Sequence, residues 1–145
     1  MLLRSEWLVL YGAVVALYLL VTWREWTTLS TTSQRLPIWP SVILAVAFGL
    51  HGVLLWQAII GPEQFRFGFA HALSATLWLT VLIVWAESYF SASRGLLLLV
   101  LPLAAVASGL PVLFPGSVLG PATASPVFRL HLLLAILAYS LLTIA

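Results

Sequence analysis

Five long apolar runs constrain the fold of this chain more than any other feature of its sequence. They cover residues 7–23, 38–60, 67–86, 95–114 and 127–145, and none holds more than one charged residue. Each is close to the roughly 17–25 residues that a helix needs to cross a bilayer. Because the runs do not alternate apolar and polar residues, they favour helices over a closed barrel. The sequence predicts an all-α fold, a polytopic transmembrane helix bundle with about five spans in a single membrane domain.

The composition excludes several classes of function. Hydrophobic residues make up 63% of the chain and charged residues 7%, against about 25% charged in an ordinary soluble domain. The predicted partner is therefore the lipid bilayer. The net charge of +2 is too small and scattered for a nucleic-acid surface. With no cysteine, the chain has no disulfide, no Cys-based metal site and no covalent c-type haem attachment motif.

The two ends of the chain are interpreted separately. The first apolar run has no small-residue cleavage site after it, which favours a retained span over a signal peptide. The last run reaches Ala145 without a polar flank, and this predicts that the chain is truncated at its C-terminus. The six arginines fall three on each side of the predicted membrane, so charge does not predict the orientation.

The three histidines, which all fall within predicted spans, are the candidate functional residues because an ionisable group in a membrane is costly. His51 is expected ~15 Å from the end of its helix, near the bilayer midplane. His71 and His131 are each expected ~6 Å inside the same membrane side. Such matching depth suits two axial ligands of a haem iron. The alternatives are interfacial histidines that reach the headgroups at His71 and His131, and a helix–helix hydrogen bond at His51.

The residues around the histidines allow both interpretations. On the third span an aromatic stripe descends at helical spacing, through His71, Ala75, Trp78, Leu82 and Trp85. On the fifth span, small side chains leave room for a flat ligand or a neighbouring helix, along His131, Ala135, Ala138 and Leu142. Two small-residue pairs predict close helix packing, Ala45 with Gly49 and Ala105 with Gly109. Prolines 102 and 111 should bend the fourth helix.

No enzyme is predicted. The four glutamates, Glu6, Glu25, Glu63 and Glu87, fall outside the spans or at their ends. No carboxylate pair or proton relay is therefore expected in the membrane. The sequence also has no Ser/His/Asp arrangement and no Gly-rich phosphate loop.

Four segments in order carry a resemblance to a known family: LHGVLLW, FRFGFAHALSATLWLTVLIVWAES, SRGLLLLVLPLAAVASGLPVLFPG and FRLHLLLAILAYSLLTIA. Together they resemble the N-terminal half of the cytochrome c assembly membrane protein superfamily (CcsA/CcmC/HemX-like), in its YpjD-like inner-membrane branch. The resemblance implies haem handling at the outer face of the bacterial inner membrane, with a periplasmic N-terminus. His51 and His131 match family histidines, whereas His71 does not align with one. No segment matches the family's Trp-rich loop, WGxxWxWD.

Two functions remain open from the sequence. The first is a non-catalytic haem-binding factor in cytochrome c assembly, with His131 as an axial ligand, His51 or His71 as its partner, and other cytochrome c assembly proteins as neighbours. The second is a non-haem scaffold or accessory subunit whose buried histidines are structural. A transporter is disfavoured because buried charge is scarce.

Overall fold

Five long helices account for nearly all of the described chain. The computed structural model describes residues 5–28, 38–59, 66–90, 94–118, 120 and 125–144. The helices are α1 (Ser5–Thr27), α2 (Ile38–Ile59), α3 (Phe69–Glu87), α4 (Arg94–Leu113) and α5 (Pro126–Ile144). Two short strands, β1 (Arg66–Phe67) and β2 (Ser117–Val118), precede α3 and follow α4. All five helices are long and apolar enough to cross a membrane, which confirms the predicted all-α, multi-pass membrane fold.

The helix boundaries lie close to the predicted ones. α2 to α5 begin and end within two residues of the predicted runs. α1 is longer, since its helix continues through Arg24 and Glu25 to Thr27. The predicted connections at 61–65 and 91–93, and most of 24–37 and 115–126, lie outside the described residues, as does Ala145.

The core forms where α4 packs against α1 and α3, with α2 closing the other side of α1 and α3. Its buried residues include large aliphatic side chains of α1, α2 and α4 and small ones of α4, among them Val14, Val21, Leu44, Leu97, Leu101, Ala104 and Ala107. Small side chains on α4 let the neighbouring backbones approach closely. α4 is a single helix that contains both Pro102 and Pro111. α5 lies at the edge of the bundle, against α3.

One small-residue pair was predicted correctly and the other was not. Ala105 is buried in the core, as expected of a packing position. Ala45 and Gly49 are exposed, and a Cβ built on Gly49 would meet nothing within 4 Å. The prediction of close packing at Ala45 and Gly49 is therefore wrong, because that face of α2 points out of the bundle.

A short antiparallel pairing ties the beginning of α3 to the segment after α4. Arg66 pairs with Val118 and Phe67 with Ser117. Gly116 has a φ of 69°, a conformation that residues with a side chain rarely adopt. A Cβ there would lie 2.9 Å from the carbonyl carbon of Phe67, so the turn needs glycine for both its conformation and its close approach.

Gly116→Ala is expected to lower the free energy of unfolding by about 1–2 kcal/mol, because it adds backbone strain and a steric clash with Phe67. Unfolding in mixed detergent micelles, followed by circular dichroism, measures the change. Gly95→Ala is the matched control, since a Cβ at Gly95 meets nothing within 4 Å. Equal stability of the two variants would contradict the strained turn.

Candidate functional site

His51 lies at the centre of a buried hydrogen-bonded cluster that joins three helices. Its ring is 1% exposed. Nδ1 lies 3.2 Å from the hydroxyl of Tyr18 on α1, and Nε2 lies 2.9 Å from Oγ of Ser74 on α3. The rings of Tyr18 and His51 also make an edge-to-face contact at 5.7 Å. We call these three residues the His51 cluster.

Both nitrogens of His51 already have a hydrogen-bond partner. A neutral imidazole has one donor and one acceptor nitrogen, and the two hydroxyl groups can take the complementary roles in either tautomer. A bond to iron requires a nitrogen lone pair, so His51 could bind a metal only after one of these hydrogen bonds breaks. The geometry matches the structural alternative raised from the sequence, a satisfied helix–helix hydrogen bond.

His71 is buried near the beginning of α3. Its ring is 2% exposed, so the imidazole does not reach the surface as an interfacial histidine would. It packs beside the ring of Phe67, with 6.2 Å between the ring centroids. Within the described part of the chain, Nδ1 has no hydrogen-bond partner. Buried polar atoms are rarely left unpaired, which makes His71 a second candidate ligand position.

His131 points out of the bundle. α5 packs on α3 through Leu132, Ile136 and Ser140. At 3.6 residues per turn, His131 lies about 140° around the helix from Ile136. Its side chain is accordingly exposed. The structure therefore brings His51 and His71 to the α2–α3 side of the bundle and places His131 on the opposite face of α5.

The levels of His71 and His131 differ by about one helical turn. Oγ of Ser140 donates a hydrogen bond to the carbonyl of Thr76 at 2.9 Å, which fixes the register of α5 on α3. Because alternating spans make α3 and α5 run in the same direction, this register places His131 level with Phe67. At 1.5 Å per residue the offset from His71 is about 6 Å. The predicted matching depth is thus shifted by one turn.

The aromatic stripe on α3 is mainly a packing feature. Nε1 of Trp78 donates a hydrogen bond to the carbonyl of Phe48 at 2.9 Å. The two rings stack with 4.5 Å between centroids and 6° between planes. A Cβ on Gly52 would lie 3.0 Å from the Trp78 ring, so a glycine allows the indole to lie against α2. Trp78 therefore fills the α2–α3 interface.

Two members of the His51 cluster were not predicted. Tyr18 and Ser74 were read as parts of apolar runs, and only their position within a span could have marked them, since a polar group in lipid needs a partner. Glu25 was expected at the end of a span, yet it is buried at 2% exposure. The helix α1 extends past the predicted boundary and carries Glu25 into the protein.

The described residues include no group of three or more His, Cys, Asp or Glu side chains that could hold a metal ion. A haem iron needs only one or two imidazoles from the protein. His131 meets this requirement, because its exposed ring is followed on the same face by Ala135 and Ala138, which leave a flat surface. The residues of this face fit a haem.

Comparisons with protein-family models, with curated proteins and with solved structures found no match to this chain.

Proposed function

We propose that the chain is a non-catalytic haem-handling factor of the bacterial inner membrane that supplies His131 as an axial ligand of haem iron. The observation that carries this proposal is the difference in access among the three histidines. Both nitrogens of His51 are hydrogen-bonded, and His71 is buried. His131 is exposed, so its imidazole can bind a macrocycle without disturbing the core.

The surface around His131 supports the same proposal. Ala135 and Ala138 lie below it on the same face of α5, where small side chains let a planar macrocycle lie flat against the helix. The resemblance described above independently assigns a haem ligand to the position of His131. It also implies a periplasmic N-terminus, and other cytochrome c assembly proteins as partners. Haem bound at this face would be held for attachment to apocytochrome c.

The roles of the other two histidines follow from their contacts. His51 serves as a structural link between α1, α2 and α3. His71 is the reserve ligand, because its Nδ1 has no hydrogen-bond partner in the described structure. Its use would require β1 to move away from the ring, since Phe67 packs beside it.

Haem stoichiometry in purified protein tests the proposal. Wild-type protein, expressed with haem supplementation and purified in detergent, is expected to show a Soret band, and His131→Ala should lower the haem-to-protein ratio about tenfold. The thermal stability of haem-free His131→Ala should equal that of haem-free wild type, because an exposed side chain contributes little to folding. Leu133→Ala is the matched control, since Leu133 is exposed on another face of α5. Wild type without haem, or full haem content in His131→Ala, would overturn the proposal.

A second function has its own supporting observation. The His51 cluster links three helices through buried side chains, which is the arrangement expected of a scaffold or accessory subunit. In that case no histidine variant changes a haem spectrum, and His51→Leu alone lowers stability. The haem measurement on wild type separates the two functions.

A further inference from the structure

A cavity of about 340 Å³ lies between α2 and α3 at the membrane side opposite His71. Its walls are formed by Ile38, Ser41, Val42, Ala45, Trp85 and Tyr89. We call it the α2–α3 cavity. Ile38 is the first residue of α2 and Trp85 lies two residues before the end of α3, so the cavity lies at the level of the membrane interface. Its volume is within the range of roughly 300–1,000 Å³ that is common for ligand sites.

The cavity opens on the surface that faces lipid. Ile38, Val42 and Ala45 are exposed on the outside of α2, and Tyr89 is exposed just after α3. None of the six side chains carries a charge. The walls are therefore suited to an apolar or amphipathic molecule that enters from the bilayer, and they offer nothing to a charged solute.

The indole of Trp85 provides the second observation. Its Nε1 is buried and has no hydrogen-bond partner. Tryptophans of a membrane-interface belt usually leave this group to water or headgroups, as exposed Trp39 can at the same level. A buried donor without an acceptor is rare, and one in a residue that lines a cavity points to an acceptor on a molecule that occupies the cavity.

We propose that the α2–α3 cavity binds the glycerol–ester region of a glycerophospholipid. An ester carbonyl accepts a hydrogen bond from Nε1 of Trp85 after the indole turns toward the cavity. The first methylene groups of that acyl chain lie along Val42 and Ala45. The level of the site matches this assignment, because the ester groups of a bilayer lie between the headgroups and the hydrocarbon core. The proposal does not depend on haem binding or on His131.

Native mass spectrometry with two lipid probes tests it. The probes are a diester phosphatidylglycerol and its diether analogue, which has the same chains but no ester carbonyl. Full-length wild-type protein in detergent is expected to bind the diester about fivefold more tightly, the effect of about one hydrogen bond. Trp85→Phe keeps an aromatic ring and loses the N–H, so its diester preference should fall to less than about twofold.

Two further variants complete the test. Trp39→Phe is the matched control and should keep the preference, because Trp39 lies at the same level outside the cavity. Ala45→Phe fills the cavity and should weaken both probes by about fivefold or more. Equal binding of the two probes by wild type, an unchanged preference in Trp85→Phe, or full binding by Ala45→Phe would each overturn the proposal.

Discussion

His51→Leu is expected to lower the free energy of unfolding by about 2–3 kcal/mol. Leucine keeps most of the side-chain volume and removes both ring nitrogens. The hydroxyl of Tyr18 then loses its partner in a buried position. Ser74 loses less, because a helical serine can donate to a carbonyl of its own preceding turn. Unfolding in mixed detergent micelles, followed by circular dichroism, measures the change.

A double-mutant cycle separates the hydrogen bonds from a general packing defect. Tyr18→Phe alone should destabilise by about 1 kcal/mol, since it removes one hydrogen bond and keeps the ring. In the His51→Leu background the same change should be neutral or stabilising, because it removes an unpaired hydroxyl group. His131→Ala serves as the surface control and should change stability by less than about 0.5 kcal/mol. Additive effects of the two cluster variants would contradict the hydrogen-bond network.

The fold was largely predictable because lipid as a solvent leaves few choices. A span must satisfy its own backbone hydrogen bonds, so a long apolar run translates directly into a helix. This is why α2 to α5 begin and end within two residues of the predicted runs. The exception is α1, where Arg24 and Glu25 were taken as the end of the span. Their charge ended the apolar run but not the helix, since both residues support helical backbone.

The placement of the histidines was only partly predictable. The depth of a residue follows from its position along a helix, but its direction depends on which face packs against a neighbour. His131 illustrates the difference, because its position on α5 was predictable while its outward direction is set by Leu132, Ile136 and Ser140 packing on α3. The register of α5 on α3 depends on the Ser140 to Thr76 hydrogen bond, which no periodicity in the sequence indicates.

Glycines 49 and 52 show the same limit, since they lie one turn apart on α2 and have different surroundings. A small-residue pattern marked Gly49 as the packing position, yet a side chain there meets nothing within 4 Å. At Gly52 a Cβ would lie 3.0 Å from the indole of Trp78. The pattern could not identify the contact because its partner is a large aromatic ring on α3 instead of another small residue.

Gly52→Leu is therefore expected to lower the free energy of unfolding by about 2–3 kcal/mol, because the new side chain overlaps the Trp78 ring. The ring cannot move aside freely, since it stacks on Phe48 and its Nε1 donates to the Phe48 carbonyl. Gly49→Leu is the matched control on the same helix. It should leave stability unchanged or raise it, because leucine favours helical backbone by about 0.8 kcal/mol over glycine.

The clash has a direct test in the partner residue. Trp78→Ala vacates the space beside α2, so Gly52→Leu in that background should cost less than about 1 kcal/mol and may not exceed the cost of Gly49→Leu in the same background. Trp78→Ala alone is itself destabilising, since it removes a large interface side chain. The informative quantity is therefore the coupling between positions 52 and 78, measured by unfolding in mixed micelles. A coupling near zero would mean that the indole does not lie against Gly52, and the α2–α3 interface would then have to be packed through other residues.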